Sequence, residues 1–292
     1  MHLSLTIIIP VYNEEKNLHS VIPEVMKRAR EESWEVIIVD DCSTDRSNQI
    51  LLEFKTEFEY TVIRNKRNKG YGGAIKEGIK YAETDMLITI DADGQHNIDD
   101  INRLLDYAKK EDADMVVGRR NGNSGSLYRS FGKYIIRLLS KILLSIPVKD
   151  INSGMKLYNT ELAKKYSKLC PDTMAYSDSI TFCFYIQKHL VLEHPISIKK
   201  RMDGRSTITI KTAFQTVVEI FNIVMLFNPL NLFLPIAVFC ILFGLVWGIP
   251  IILKGNGVST GSMLAIITGF LSIFLGLIAE QLSKLRDRKS VV

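Results

Sequence analysis

The 292-residue chain is poor in cysteine, with only Cys42, Cys170, Cys183 and Cys240, no CxxC pair and no metal-like spacing. That excludes a disulfide scaffold and a cysteine-ligated zinc site, and leaves ordinary reduced thiols. Charge is absent regionally. No charged residue occurs from Ile220 to Leu253, and none from Gly255 to Ala279. A membrane-spanning helix needs roughly 20 mostly apolar residues, so each run holds one span, over about 229–253 and 261–282. A soluble core rarely sets two such runs back to back. The spans carry no ionisable side chain until Glu280, which argues against the polar path of a transporter. The first residues run straight into the apolar stretch Leu3–Ile9, without a basic leader or small-residue cleavage site. The expectation is therefore a cytosolic N-terminal domain. Two spans return the chain to the same side, where Lys284, Arg286, Arg288 and Lys289 suit a cytoplasmic flank.

Up to about Lys211 the chain alternates strand-like and helix-like segments. Strands are expected at Leu5–Ile9, Glu35–Val39, Tyr60–Arg64, Met86–Ile90 and Asp114–Val117. Helices are expected at Glu14–Arg30, Asp45–Phe54, Gly73–Tyr81 and Ile98–Lys109. This order predicts an α/β fold with a mainly parallel sheet and crossover helices. The first strand is expected to stop at Pro10, which lacks a ladder donor. In open α/β sheets, ligands bind beyond the carboxyl ends of the strands. Three polar clusters follow strands here, at Tyr12–Glu14, Asp40–Asp41 and Asp91–Gln95.

Asp91-Ala92-Asp93, with Gln95 two residues on, sets two carboxylates after a buried strand. Such a pair suits a hard cation, Mg²⁺ or Mn²⁺, shared with substrate phosphates. A solvated turn is the plainer reading of Asp-x-Asp. In Pro10-Val-Tyr-Asn-Glu14, Tyr12 offers a face for a base and Glu14 a carboxylate for ribose or base contacts. The same residues also read as a helix start capped by Asn13. Val39-Asp40-Asp41 offers acceptors to a nucleobase or ribose, while Ser43 or Thr44 could cap the next helix. Gly70-Tyr-Gly-Gly73 lacks both the Walker lysine and the dinucleotide fingerprint, and reads as a tight turn near a donor. His96 reads as a helix-entry residue.

In this order the motifs resemble glycosyltransferase family 2, and within it the polyprenyl-phosphate glycosyltransferases of the dolichol-phosphate mannose synthase type. The resemblance also rests on Gly118-Arg-Arg120, Ser153-Gly-Met-Lys156 and Arg201-Met-Asp-Gly-Arg-Ser206. It implies a GT-A fold and inverting transfer from a UDP- or GDP-sugar to a lipid phosphate. It implies nucleotide-sugar contacts at Pro10, Tyr12, Glu14, Val39, Asp41, Asp91, Ala92, Arg120 and Arg201. The implied metal ligands are Asp91, Asp93 and Gln95, and Asp93 is also placed among the catalytic residues. Arg120 and Arg129 correspond to arginines that approach the donor and acceptor phosphates. The chain departs from the family at Arg119-Arg120, where Ser-Arg is usual, and at Met155-Lys156, where Phe-Arg is common. It also departs after Ser206, where a lysine commonly follows.

From Met115 to Val148 no acidic residue occurs, and Arg129, Lys133, Arg137 and Lys141 recur every four residues. On a helix they form one basic stripe beside Phe131, Ile135, Leu138 and Ile142. That suits an anionic bilayer surface and, through Arg129 and Lys133, a lipid phosphate. A solvated face packed on the sheet is the alternative. A phosphate monoester has a second pKa near ~6, so the acceptor is already anionic and needs no general base. Asp150, before the Ser153-Gly154 turn, is a candidate orienting group. The expected organisation is a catalytic domain (1–211), an interfacial amphipathic helix (212–228), two spans (229–284) and a basic tail (285–292). The resemblance to anchored relatives also implies a homo-oligomer, with the spans packing together, and no nucleic-acid motif is present. Three rivals remain. One is a family member with another acceptor, although the Gln-x-x-Arg-Trp motif of processive synthases is missing. Another is a sugar nucleotidyltransferase, which would need a glycine-rich, arginine-bearing first loop. The third is an inactive membrane scaffold.

Overall fold

The computed structural model describes residues 3–120, 150–199, 218, 221–255 and 257–289, and the described residues form two compact units. The first unit is built on seven strands: β1 (Leu5–Val11), β2 (Glu35–Asp40), β3 (Thr61–Arg64), β4 (Met86–Thr89), β5 (Met115–Arg120), β6 (Lys156–Asn159) and β7 (Val191–Ile196). Their order across the sheet is β3-β2-β1-β4-β6-β5-β7. All pairs are parallel except the two made by β6, which runs antiparallel between β4 and β5. Helices α1 (Glu15–Glu32), α2 (Ser47–Phe54), α3 (Tyr71–Tyr81), α4 (Asp99–Glu111), α5 (Thr160–Ser167) and α6 (Tyr176–Ile186) make the connections.

The strand sequences explain this arrangement. In β1, Leu5, Ile7, Ile8 and Ile9 are all at most 1% exposed. A strand covered on both faces carries a continuous apolar run rather than an alternating one. Each such side chain contributes about 1.5–3 kcal/mol by burial. On one face Leu5, Ile7, Ile9 and Ile38 pack with Leu18, Ile22, Val25 and Met26 of α1 and with Ile101, Leu104 and Leu105 of α4. On the other face α3 lies close, because Gly78 brings its backbone against Ile8 and Val39, where a Cβ would sit 2.7 Å from Ile8 Cγ2.

One expected boundary is corrected. β1 does not stop at Pro10 but continues to Val11, with Pro10 opposite Val39. Ile8 O accepts from Ile90 N and Val11 O from Asp41 N, so Pro10 faces the β4 side, where pairing has already ended at Ile8. Its missing N–H therefore costs no ladder bond.

The second unit holds two long helices, α7 (Leu230–Leu253) and α8 (Thr260–Lys289). At 1.5 Å per residue, α7 is about 36 Å long, enough to cross a hydrocarbon core of about 30 Å. Only 17% and 22% of the apolar windows of the two helices are buried, far less than in the core helix of a soluble protein. The buried part is a seam of small residues. A Cβ on Gly244 would lie 2.6 Å from Ile266 Cγ1, and one on Gly269 2.5 Å from Ile241 Cγ1. Small residues let two helix backbones approach where apolar surroundings supply no hydrophobic drive. Ser272 Oγ donates to Phe233 O across the pair, at 3.2 Å. Of the expected 212–228 helix, residues 221–227 are helical and the preceding part lies largely outside the described residues.

Candidate active site

The three polar clusters expected at strand ends do follow β1, β2 and β4, which start parallel and side by side. After β1 the chain turns through Asn13, a non-glycine residue at φ 57°. Its side-chain Oδ1 accepts from Thr44 N (2.8 Å), and its own N–H donates to Ser43 Oγ (3.0 Å). Glu14 N donates to Ser47 Oγ (2.8 Å) and Glu15 N to Asp45 Oδ2 (3.1 Å). The loops after β1 and β2 are thus stitched into one rim. Asn13 does not cap α1, whose N-cap is Glu14 without a side-chain cap bond. Nor do Ser43 or Thr44 cap α2, since its first N–H, from Ser47, goes to Asp45 Oδ1 (2.9 Å). Tyr12 stands 47% exposed on this rim, while the Val39 side chain is fully buried under α3.

Asp41 is buried, and its carboxylate is already engaged. Asn65 Nδ2 (2.7 Å) and Lys69 N (2.9 Å) donate to Oδ1, and Gly70 N (2.7 Å) donates to Oδ2. It shapes the turn that opens α3. The glycines of that turn serve close packing on the 171–172 segment. A Cβ on Gly70 would meet Asp172 O at 2.7 Å, and one on Gly72 would meet Pro171 O at 2.5 Å. From this turn Tyr71 sends its hydroxyl to Asp91.

Asp91 and Asp93 follow β4. Tyr71 OH donates to Asp91 Oδ1 (2.9 Å), and His96 Nε2 lies 3.3 Å from Oδ2. Burial opposes ionisation of Asp91, but the His96 and Tyr71 hydrogen bonds and the charges of His96 and Arg120 hold its pKa below the ordinary carboxylate value. Burial, and then Asp91 itself, push the Tyr71 hydroxyl well above its usual value, so it stays a donor. Gly154 presses its backbone against this carboxylate, because a Cβ there would sit 2.1 Å from Asp91 Oδ2. Thr89 Oγ1 fixes that approach by donating to Gly154 O (2.8 Å). Asp93 is 8% exposed and accepts Gln95 N at 3.1 Å, around Gly94 at φ 71°. Ala92 between them is buried. Gln95 O accepts from Lys199 N (2.8 Å).

Among the described residues no three His, Cys, Asp or Glu side chains gather into a metal cage. Mg²⁺ and Mn²⁺ do not need one, because they are commonly held by one or two carboxylates together with substrate phosphates and water. The all-oxygen pair Asp91 and Asp93, with a one-third exposed Asp91 side chain, fits that requirement.

At the end of β5, Arg120 forms a fork on Asp150. Its Nε donates to Oδ2 (2.8 Å) and its Nη2 to Oδ1 (2.7 Å), and its backbone N also donates to Oδ2 (3.0 Å). Burial opposes the Asp150 charge, but the Arg120 hydrogen bond and charge outweigh it and lower the pKa. Asp150 is thereby a poor proton acceptor and a good orienter of the guanidinium. Arg120 and Asp91 also interact through charge, which links the fork to the carboxylate pair. Arg129, Lys133 and Arg201, with the basic stripe, lie outside the described residues.

Sequence reasoning missed Tyr71 and His96 as partners of Asp91, and Lys156 beneath Asp150. A fully buried lysine inside a four-residue strand carries no periodic signal. The nearest clue was the Ser153-Gly154-Met155-Lys156 motif itself.

A mainly parallel sheet with carboxylates beyond β4 and an arginine–carboxylate fork at the end of β5 defines an α/β domain with a polar site beyond its strand ends. Residues 6–167 match the profile of glycosyl transferase family 2, and residues 228–285 match that of the GtrB C-terminal hairpin. The chain belongs to glycosyl transferase family 2. With its apolar hairpin it is a membrane protein. It is 32% identical over 163 residues to an undecaprenyl-phosphate 4-deoxy-4-formamido-L-arabinose transferase of Pectobacterium carotovorum, covering 54% of this chain and 50% of that one. It is 28% identical to a dolichyl-phosphate beta-glucosyltransferase of Dictyostelium discoideum, covering 56% of each. The match thus spans about half the length of these relatives. Among solved structures, glucosyl-3-phosphoglycerate synthase from Mycobacterium tuberculosis, in complex with Mn²⁺, UDP and phosphoglyceric acid, superposes with a TM-score of 0.59 at 13% identity. That match covers 76% of this chain and 78% of that one. The likeness establishes the fold, which is GT-A.

Proposed function

We propose that this protein transfers a sugar from a nucleotide-diphosphate sugar to a polyprenyl phosphate, with inversion at the anomeric carbon. The observation that carries the reading is the preset carboxylate pair, Asp91 and Asp93, electrostatically linked to the Arg120–Asp150 fork in a chain that also bears an apolar hairpin. The printed names of the relatives, undecaprenyl-phosphate and dolichyl-phosphate transferases, support the acceptor class. The Mn²⁺ and UDP of the fold neighbour support a divalent ion.

In this reading an oxygen of the acceptor phosphate attacks the anomeric carbon of the donor sugar. A new C–O bond forms to the lipid phosphate as the bond to the nucleoside diphosphate breaks, and the diphosphate leaves with the electron pair. Asp91, Asp93 and Gln95 would hold Mg²⁺ or Mn²⁺, which would neutralise the charge growing on that leaving group. Pro10, Tyr12, Glu14, Val39, Asp41 and Ala92 form the nucleotide rim. Arg120, oriented by Asp150, faces the phosphates, joined by Arg129, Lys133 and Arg201. The acceptor needs screening and aim rather than deprotonation, so the absence of a base role for Asp150 is no obstacle. The basic residues flanking the second span, Lys284, Arg286, Arg288 and Lys289, favour a cytoplasmic catalytic domain.

The test is nucleoside-diphosphate release by the purified protein in detergent. A panel of UDP- and GDP-sugars is offered with and without undecaprenyl phosphate and Mg²⁺ or Mn²⁺. Turnover of one donor only when both lipid phosphate and metal are present, and its loss in Asp93→Asn, is the expected result. Turnover with a different acceptor would refute the polyprenyl assignment. No turnover with any donor would refute the enzyme.

A further inference from the structure

Lys156 is fully buried in β6, between Thr89 of β4 and Val117 of β5. The glycosyl-transfer reading above does not use it. Its ammonium nitrogen reaches three oxygens: Ile151 O (2.6 Å), Ser177 Oγ (2.7 Å) and Ser177 O. Two are backbone carbonyls, which only accept. The third is a hydroxyl whose proton is already spent, since Ser177 Oγ donates to Ser153 O at 2.8 Å. Three acceptors around one nitrogen require three N–H donors. Only the charged lysine has three, because the neutral amine turns a lone pair toward one of them. The bonds tie residues 151–153 to the first turn of α6, and those residues directly follow Asp150, the anchor of Arg120.

We infer that Lys156 is a positioning residue for the transfer reaction: while protonated, it staples the segment after Asp150 to α6 and so holds the Arg120 fork in place. This inference rests on the glycosyl-transfer reading for its consequence, but not for the staple itself.

The titratable groups facing Lys156 come from four places: Asp178 on α6, Asp150 before β6, Arg120 at the end of β5, and the Cys170 thiol after α5. Burial is the largest influence and lowers the lysine pKa, with Asp178 and Asp150 opposing it, and brings it to about 7. The proton that the geometry demands is therefore one that leaves near neutrality. Below about 7 the staple is complete, and above it one buried carbonyl or hydroxyl loses its donor.

Two measurements on the full chain in detergent test this, using wild type, Lys156→Arg and Lys156→Met. Arginine stays charged throughout, and methionine cannot donate. The first is hydrogen exchange of the peptide spanning residues 150–155, corrected for intrinsic rates, at pH 6 and pH 8.5. Wild type should lose at least fivefold of its protection over that range. Lys156→Met should be unprotected at both values and Lys156→Arg protected at both. Equal protection in wild type and Lys156→Met would overturn the staple. The second is the pH profile of donor turnover. Wild type should show an alkaline limb near pH 7, with a drop of at least fivefold by pH 8.5, and Lys156→Arg should move that limb upward by a unit or more. Exchange that responds while the limb stays put in Lys156→Arg would overturn the positioning role. If wild type turned over no donor at any pH, the glycosyl-transfer reading would fall, and the exchange data would still decide the staple.

Discussion

Replacing Gly154 by alanine tests whether the Asp91 carboxylate is held by shape as well as by hydrogen bonds. The added Cβ would stand 2.1 Å from Asp91 Oδ2 and 2.6 Å from its Cγ. Real Cβ contacts essentially never fall under 3.0 Å, so the carboxylate must retreat by about 1 Å. The Gly154 backbone cannot retreat instead without breaking the Thr89 Oγ1 bond to its carbonyl. A shift of that size pulls Oδ1 from Tyr71 and Oδ2 from His96. A hydrogen bond to a charged group is worth about 1.5–3 kcal/mol, and a misplacement of about 1 Å at a reacting centre costs on the order of 10²-fold. Turnover of the best donor should therefore fall about 10²-fold. Overpacking costs about 1–3 kcal/mol, which for a domain of this size lowers Tm by about 2–12 °C. Tyr71→Phe is the calibrating variant. It removes one of the two partners without a clash and should cost about tenfold. The assay is nucleoside-diphosphate release, normalised to folded protein from a thermal melt. Turnover within twofold of wild type in Gly154→Ala would show that Asp91 is not positioned by this contact, and the account of the site would have to be rebuilt.

Arg120→Lys keeps a charge but loses the fork on Asp150, so kcat/KM should fall by about 10- to 100-fold with little change in Tm. An unchanged kcat/KM would remove Arg120 from the phosphate site. Asp41→Asn turns an amide N–H₂ toward the donors of Asn65, Lys69 or Gly70 and should cost about 1–3 kcal/mol of stability; an unaltered melt contradicts this. Asp150 has a folded pKa below its unfolded value of about 3.9. Its contribution to stability is present above the unfolded pKa and lost as pH falls through the folded one. Between pH 3 and 4 wild type should thus lose more of its margin than Asp150→Asn, and parallel acid melts would refute it. In the second unit, Gly244→Val drives a side chain into Ile266 and the Ser262 carbonyl and should weaken the helix pair by about 1–3 kcal/mol. Phe239→Leu, on a side chain 69% exposed, should not, as read by thermal aggregation in detergent.

The parallel half of the sheet is legible in the sequence because strands buried on both faces must be apolar throughout, as Ile7–Ile9 and Ile37–Val39 are. The half that closes the site is not. β6 is four residues long with a lysine at its start, and α6 buries nine residues on all sides, so neither shows a period of 2 or 3.6. The same division runs through the site. Asp91 and Asp93 stand out in the sequence as candidates because strand ends aim at ligands. Their holders do not, because Tyr71 arrives from a glycine-rich stretch that reads only as a tight turn near a donor, and His96 reads as a helix entry. Asp41 carries a second role that its neighbours in sequence do not announce. An acid at a strand end looks like a ligand contact, and its oxygens also hold Asn65 and the amides of Lys69 and Gly70, more than 20 residues away. Backbone N–H and C=O groups are invisible in a sequence because every residue has them. Any residue whose work is to satisfy them, as Asp41 does with donors and Lys156 with acceptors, is therefore found only once the fold has brought those groups together.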